Sequence, residues 1–274
     1  QIDLINHYEI PAQDSIFLFI RACIDPFKQD NPVLIEDTLL FVIDNNVVSL
    51  PMQAYGQDVI LFKTKEGRTE FPSGYTFHAN RPYLIYDTVL VAGKMQIMPG
   101  ATLYMHNNAS IYALGSVEAL GEKNAPITIR GDRLDKLFEK VPYKYASGQW
   151  GGLYFLHYKG EPIPTYELNH VHLLSGNIGL YCLSEDKDER GILSMRNSKV
   201  HNHAMYGVVL QNTDADISNC EISNCAAYCV YLAGGTHTLT HNTIASFFGY
   251  PYTTINIHQV IREWYDHSQF AQSH

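Results

Sequence analysis

The stretch Met195–Ile244 reads MRNSKVHNHAMYGVVLQNTDADISNCEISNCAAYCVYLAGGTHTLTHNTI, and its internal repetition decides the fold. A step of 22 residues takes Val200 to Ile222 and then to Ile244. The same step relates Met195, Ile217 and Leu239; Asn197, Asn219 and His241; Asn202 and Asn224; Tyr206, Tyr228 and Tyr250; Val208 and Val230; and Leu210 and Leu232. Agreement of so many positions at one period is typical of a repeat protein.

The repeating unit is built from short strands. Its apolar residues alternate over runs such as Ala215–Asn219, which Asn, Gly and Ser interrupt, and they show no helical period. One such unit cannot bury its apolar side chains alone, whereas stacked units can. The pattern therefore predicts a parallel β-helix in which residues one repeat apart are vertical neighbours, about 4.8 Å apart, and apolar positions line the interior.

Asparagine is expected at the bends of this solenoid. Asn197 over Asn219, and Asn202 over Asn224, are predicted to form ladders, because Asn tolerates a left-handed backbone and its amide can bond to the next coil. His170 and Leu173 correspond to Asn197 and Val200 one coil earlier if Ser184–Arg190 forms an inserted loop.

An earlier block, Val89–Gly131, fits the same architecture without the exact period. It alternates residues and places Gly or Pro-Gly at each corner. The block resembles the leading coils of right-handed β-helix proteins, because its motifs follow the same order: Pro99-Gly100, Ala113–Gly121 and Pro126–Ile129. Gly148–Leu153 resembles a corner that is frequent in such proteins.

The front of the chain predicts a different, smaller unit. Residues 1–62 contain short strands, including a hairpin around Asp44–Asn46. Pro11–Ser15, this hairpin and Leu50–Gly56 resemble the second half of bacterial surface immunoglobulin-like domains. The expected organisation is an incomplete immunoglobulin-like β-sandwich over 1–62, a linker or loop over 63–80, and the β-helix over 81–274, capped by a short helix near Gln259–Tyr265.

The whole pattern, over about residues 10–250, is similar to surface lipoproteins of Gram-negative gut bacteria in the pectate-lyase-like superfamily. The resemblance implies an exported protein of the outer-membrane surface or periplasm. It implies membrane attachment only through a lipid anchor outside this chain, and no particular reaction. Gln1 in place of Met favours an internal portion of a longer precursor.

Composition excludes several partners. The net charge is −9, with 19 Lys and Arg against 28 Asp and Glu, and no run of basic residues occurs. Nucleic acid and anionic membrane surfaces need clustered positive charge, so neither is expected as a partner. The five cysteines have no zinc-finger spacing and favour small buried thiols, with oxidation of one pair among Cys220, Cys225 and Cys229 left open. No metal site and no cofactor is predicted.

The sequence offers one weak catalytic candidate. His172, Lys199 and Glu221 should lie on successive rungs of one outer column, where a base and an acid could exchange a proton. The alternative is a surface ladder of opposite charges, which contributes about 0–1 kcal/mol to stability and is the favoured interpretation.

Aromatic residues offer a binding candidate. Trp150, Tyr154 and Tyr158 recur every four residues, and flat rings on an outer sheet can stack against the C–H faces of a sugar. The alternative is that Trp150 packs at a corner of a coil. Taken together, the sequence favours a non-catalytic surface module, structural, adhesive or binding, with a glycan or surface protein as partner. A polysaccharide lyase or glycoside hydrolase acting on an acidic or complex glycan remains the alternative function.

Overall fold

The computed structural model describes residues 9–11, 13–20, 32–43 and 46–246, together with the backbone of residues 255–258. The chain forms two compact units, Gln1–Gln57 and Asp58–His274. All the regular elements of the described residues are strands, apart from one short 3-10 turn at Tyr143–Tyr145. The short helix predicted near Gln259–Tyr265 lies outside the described residues.

The first unit contains an antiparallel hairpin. Strand β1 (Val33–Ile43) pairs with β2 (Asn46–Gly56) from Val33 opposite Gly56 to Ile43 opposite Asn46. The predicted hairpin is therefore confirmed, with longer strands than the sequence indicated. Antiparallel strands agree with an immunoglobulin-like sandwich, and that finer assignment stays a prediction.

The second unit consists of coils of three short strands each. The coils are, in chain order, β3 (Ile60–Phe62), β4 (Arg68–Phe71) and β5 (Gly74–Phe77); β6 (Tyr83–Ile85), β7 (Thr88–Val91) and β8 (Lys94–Ile97); β9 (Thr102–Met105), β10 (Ser110–Ala113) and β11 (Val117–Leu120); β12 (Ile127–Gly131), β15 (Gly152–His157) and β16 (Thr165–Asn169); β17 (Val171–Leu174), β18 (Ile178–Ser184) and β19 (Ile192–Arg196); β20 (Lys199–His203), β21 (Tyr206–Gln211) and β22 (Asp214–Ser218); β23 (Glu221–Cys225), β24 (Tyr228–Ala233) and β25 (His237–Thr240); and β26 (Thr243–Ala245) and β27 (Ile255–His258). An antiparallel pair, β13 (Lys136–Phe138) and β14 (Val141–Pro142), interrupts the fourth coil.

Each coil adds one strand to each of three parallel sheets. Sheet 1 holds the first strand of every coil, from β3 to β26, and sheet 2 holds the second, from β4 to β27; each has 8 strands. Sheet 3 holds the third, from β5 to β25, and has 7 strands. The fold is a three-sided solenoid, which is a parallel β-helix.

The predicted period is confirmed by the register. Val200 pairs with Ile222, and Ile222 pairs with Ile244. Val200 and Ile222 are fully buried, and Ile244 packs partly buried against the same core. The Leu173–Val200 pair also confirms the correspondence expected after the Ser184–Arg190 insertion, which forms the loop between β18 and β19. Each large apolar side chain buried in these columns contributes roughly 1.5–3 kcal/mol.

The boundary predicted between the linker and the solenoid was wrong. Residues 63–80 were expected to be a linker or loop, but they contain β4 and β5, which pair with β7 and β8. Phe77 is fully buried, and the Phe62 ring lies 5.6 Å from that of Phe71. The many polar residues of this segment concealed the alternate aromatic positions that fill the first coil. The solenoid unit therefore begins at Asp58 rather than at residue 81.

An asparagine ladder holds one bend. Asn219 Nδ2 donates to Asn197 Oδ1 at 2.6 Å, and Asn197 Nδ2 donates to Asn169 Oδ1 at 2.8 Å. His170, Asn197, Asn219 and His241 all have positive φ, between 47° and 56°. The predicted ladder is confirmed here, although its hydrogen bonds continue to Asn169 rather than to His170. Asn202 and Asn224 share a positive φ at the next bend.

Replacing Asn197 by Leu is expected to lower the free energy of unfolding by about 1–3 kcal/mol. The variant removes hydrogen bonds to both neighbouring coils and places a branched side chain at φ 50°. Urea denaturation measures the loss. Asn197→Gly is the matched control, because glycine keeps the backbone conformation and loses only the side-chain bonds. An unchanged midpoint in both variants would mean that the ladder does not stabilise the fold.

Candidate functional site

The outer face of sheet 1 carries the predicted charged column. His172 pairs with Lys199, and Lys199 pairs with Glu221, so the three lie on successive rungs as the sequence predicted. Lys199 Nζ lies 3.0 Å from Glu221 Oε2, and the two side chains are 51% and 43% exposed. An ion pair this open to water contributes little to stability.

The electrostatics of this column favour mutual neutralisation. The hydrogen bond from Lys199 holds the pKa of the Glu221 carboxyl below its usual value. Burial lowers the pKa of His172, and the nearby positive charge of Lys199 lowers it further. His172 is therefore a neutral imidazole at neutral pH, and it makes no side-chain hydrogen bond to another described residue. A general base is normally oriented by such a partner.

An insertion stands beside this face. Residues 132–149 leave the coil after β12, and their return is held by Gln149 Nε2, which donates to the carbonyl oxygens of Tyr143 and Ala146 at 2.7 Å each. The Ser175 hydroxyl donates to the Lys144 carbonyl oxygen. The bonds of Gln149 hold the insertion together, and the bond from Ser175 ties it to the corner that follows β17.

The insertion brings Tyr145 towards the column, where it meets His201 of β20. The ring of Tyr145 lies 6.3 Å from that of His201, which follows Lys199 by two residues on the same face. Burial lowers the pKa of His201, the negative charge of Glu221 partly offsets this effect, and the positive charge of Lys199 adds to it. Neither His201 nor Tyr145 was predicted from the sequence to belong to this cluster. The signal was the unusual length of chain between Gly131 and Trp150.

Trp150 does not belong to a binding surface. It is fully buried, and its indole Nε1 donates to the Leu174 carbonyl oxygen at 2.8 Å. Its ring meets that of His203 edge-on, with centroids 6.3 Å apart. The sugar-binding role considered for Trp150 is therefore wrong, since a buried ring cannot present a face to a ligand. The corner packing that was the alternative describes it correctly.

The spacing of four residues does not place the three predicted aromatics on one face. Trp150 precedes β15, Tyr154 lies within it, and Tyr158 follows it. Tyr158 is 49% exposed, whereas Tyr154 is partly exposed and stacks on Tyr112. A strand has a side-chain period of two, and the corners at both ends of β15 change the direction of the chain.

The structure instead collects tyrosines on the outer side of sheet 2. This surface is called here the tyrosine face, and it comprises the partly exposed residues Tyr112, Tyr154, Tyr181, Tyr206, Tyr228 and Tyr231. Tyr112, Tyr154 and Tyr181 lie on consecutive rungs, and Val209 separates Tyr181 from Tyr231 in the same column. Tyr206 and Tyr228 pair in the neighbouring column.

The rings of the tyrosine face touch along the solenoid axis. The Tyr112 and Tyr154 ring centroids are 4.6 Å apart with planes at 9°, and those of Tyr154 and Tyr181 are 5.7 Å apart at 43°. Tyr206 and Tyr228 stack at 6.1 Å, and Tyr231 lies 6.0 Å from Tyr206. Because strand side chains stand away from the sheet, the stacked rings direct their edges and hydroxyls outward. The repetition of Tyr206 and Tyr228 at 22 residues was the part of this face visible in the sequence.

The described part of the chain offers neither a cluster of metal ligands nor a membrane-spanning helix. It contains no group of three or more His, Cys, Asp or Glu side chains that could hold a metal ion. His203 is fully buried and uses both ring nitrogens within the fold: Nδ1 accepts from Gly176 N, and Nε2 donates to the Leu173 carbonyl oxygen. No helix among these residues is long and apolar enough to cross a membrane.

Comparison with known proteins identifies the architecture. A family model described as right handed beta helix region matches residues 165–263, a range that begins at β16. Searches of curated proteins and of solved structures found no match. The three parallel sheets define the coils, and the family match adds that the coils are right-handed. This is an all-β protein whose larger unit is a right-handed parallel β-helix.

Proposed function

We propose that this protein is a non-catalytic binding module, exported and displayed at the cell envelope, that takes a carbohydrate on the tyrosine face. The observation that carries the proposal is the alignment of six partly exposed tyrosines along five consecutive strands of sheet 2, from β10 to β24. The export and envelope location rest on the resemblance to surface lipoproteins.

Tyrosine suits this task because its ring is apolar and its hydroxyl both donates and accepts hydrogen bonds. The Tyr181 hydroxyl already donates to Gln211 Oε1 on the neighbouring strand, so its orientation is set before a ligand arrives. The stacked rings also hold one another in place. A surface ordered in advance loses little conformational entropy on binding.

Replacing Tyr154 or Tyr181 by Ala is expected to weaken binding to a glycan identified on an array of immobilised saccharides by about 30-fold, the usual effect of losing a central aromatic contact. The array is screened with the purified chain, with Ca²⁺ and with chelator. Affinities of the variants are then measured by isothermal titration calorimetry.

Tyr158→Ala is the matched control, because Tyr158 is an exposed tyrosine outside the tyrosine face. It is expected to bind as the unsubstituted protein does. Circular dichroism checks that each variant keeps its β structure. Equal loss in Tyr158→Ala, or no loss in the two tyrosine-face variants, would show that the carbohydrate binds elsewhere.

A second function has one observation in its favour. His172, His201, Lys199 and Glu221 gather on sheet 1 beside the insertion 132–149, where a polysaccharide lyase or glycoside hydrolase could place its acid and base. Against it, Lys199 and Glu221 neutralise each other at 3.0 Å, and His172 makes no orienting hydrogen bond to a described residue.

No turnover of pectin, alginate or glycosaminoglycan is therefore expected, with or without Ca²⁺. The measurement is the release of unsaturated products or reducing ends over time by the purified chain. Lys199→Ala and Glu221→Gln are the test variants, because these two side chains are the base and the acid of the charged column on sheet 1. Product release that both variants abolish would replace the binding function by an enzymatic one.

A further inference from the structure

The three outer faces of the solenoid differ in charge. Sheet 1 exposes the Lys199–Glu221 pair. Sheet 3 exposes ion pairs, among them Arg190 with Asp214 at 2.8 Å and Arg196 with Asp216 at 3.2 Å. Sheet 2 contains no Asp, Glu, Lys or Arg in any of the five strands β10, β15, β18, β21 and β24. In a chain with 17% charged residues, this is a distinct surface.

The side chains that stand in place of charged ones are uncharged, some of them polar and the others apolar. Besides the tyrosines, the outer positions of these strands hold Ile178, Leu156, Leu183, Val209, Gln211 and Ala233. Burial raises the pKa of the Tyr154 and Tyr181 phenols above the usual value, so both side chains are uncharged at neutral pH. The Tyr181 hydroxyl donates to Gln211 Oε1 and can accept a hydrogen bond from a ligand. A carboxylate or sulfate ligand would have to lose its own hydration to bind on this face, and it would meet no cation there to compensate for that loss.

The geometry of the tyrosine face is linear. Tyr112, Tyr154, Tyr181 and Tyr231 follow one column through rungs that stack along the solenoid axis. From the strand of Tyr112 to that of Tyr231 there are four rung intervals, which at about 4.8 Å each span about 19 Å. Tyrosine hydroxyls occupy four of these five rungs, and Val209 occupies the fourth rung. Such a row suits a polymer that presents hydroxyls repeatedly along its own length.

We infer that the ligand of the tyrosine face is an uncharged, linear polysaccharide whose chain lies parallel to the solenoid axis and contacts the rungs from Tyr112 to Tyr231. This inference rests on the proposed function, because it assumes that the tyrosine face binds carbohydrate. The tyrosines of this face repeat at a fixed interval along only one or two columns. Such a narrow and regular row suits a linear polymer better than the surface of a protein.

The first experiment varies the charge of the ligand. Binding of the purified chain to neutral polysaccharides, including β-glucan, xylan and mannan, is compared with binding to pectate, alginate and chondroitin sulfate. Neutral polysaccharides are expected to bind, and their affinity should change little between low and high salt, because no ion pairs form. Binding of acidic polysaccharides alone, lost in Tyr154→Ala, would overturn this inference and leave the proposed function standing.

The second experiment varies the length of the ligand. With oligosaccharides of the neutral polymer that binds, affinity is expected to rise by about tenfold from disaccharide to hexasaccharide as more rungs are contacted. Tyr112→Ala and Tyr231→Ala, at the two ends of the column, should weaken binding of the hexasaccharide more than that of the disaccharide. Tyr158→Ala is again the control.

The outcomes separate the two proposals. An affinity independent of length, or equal losses for both oligosaccharides in the end variants, would overturn the axial arrangement alone. Carbohydrate binding that none of the tyrosine-face substitutions changes would overturn both proposals, as would the absence of binding to any glycan. Binding of a protein to this face that no saccharide can displace would also overturn both proposals.

Discussion

Replacing Trp150 by Ala is expected to lower the free energy of unfolding by about 3–5 kcal/mol, the range for truncating a fully buried large aromatic side chain. The ring lies in the corner where sheet 1 turns into sheet 2, with no exposed surface. A Cβ added at Gly176 would come within 2.9 Å of its Cε2 atom, so the packing around the ring leaves little space. The variant would also free the Leu174 carbonyl oxygen, which accepts from the indole at 2.8 Å.

Urea denaturation followed by circular dichroism measures this loss. The free energy of unfolding of Trp150→Phe should lie between those of the unsubstituted protein and Trp150→Ala. Phe keeps most of the apolar volume but leaves the Leu174 carbonyl without its donor, at a cost of about 1–3 kcal/mol. Tyr158→Ala, which truncates an exposed aromatic residue, should change the stability by no more than about 0.5 kcal/mol. Equal small effects in Trp150→Ala and Tyr158→Ala would contradict the burial of Trp150.

Lowering the pH from 7 to 4 is expected to remove about 3 kcal/mol of stability through His203 alone. Burial lowers the pKa of His203 from 6.5 to about 4 in the folded protein. Gly176 N donates to Nδ1 and Nε2 donates to the Leu173 carbonyl oxygen, both at 3.1 Å, so the fold binds the neutral ring. Between pH 6.5 and 4 the unfolded chain takes up a proton that the folded chain does not, and stability falls with the pH.

Unfolding free energies from urea titrations at several pH values test this. The pKa values of His172, His201 and His237 are also lowered, chiefly by burial, so they add to the loss in the same direction. His203→Gln should be less stable at pH 7 but should lose less stability than the unsubstituted protein as the pH falls. A parallel pH dependence in the two proteins would show that His203 is not held neutral by the fold.

The coil architecture could be predicted because neighbouring coils must match. Val200, Ile222 and Ile244 repeat at one interval since each occupies the same interior position, where a much smaller residue would leave a cavity and a polar one would be buried without a partner. Asn197 and Asn219 repeat because a left-handed bend restricts the choice of side chain. The same register placed His172, Lys199 and Glu221 in one column, as predicted.

The errors arose where the period was absent. Residues 63–80 contain two of the three strands of the first coil, but their polar composition resembles that of a linker. The aromatic residues in this segment that contact Phe62 are too few to show a repeat. Trp150, Tyr154 and Tyr158 are regularly spaced in sequence, yet two corners separate them in space. Sequence spacing predicts a shared face only within one uninterrupted strand.

The sequence by itself determined the all-β class, the repeat, its interior residues and its bends, because these depend on constraints that recur in every coil. Only the tertiary structure decided which exposed residues meet. Tyr112, Tyr154, Tyr181 and Tyr231 become neighbours although insertions such as 132–149 and Ser184–Arg190 give the intervening coils different lengths. Loop length is free to vary at the surface because it leaves the stacked strands unchanged, so the tyrosine face has no fixed period in the sequence.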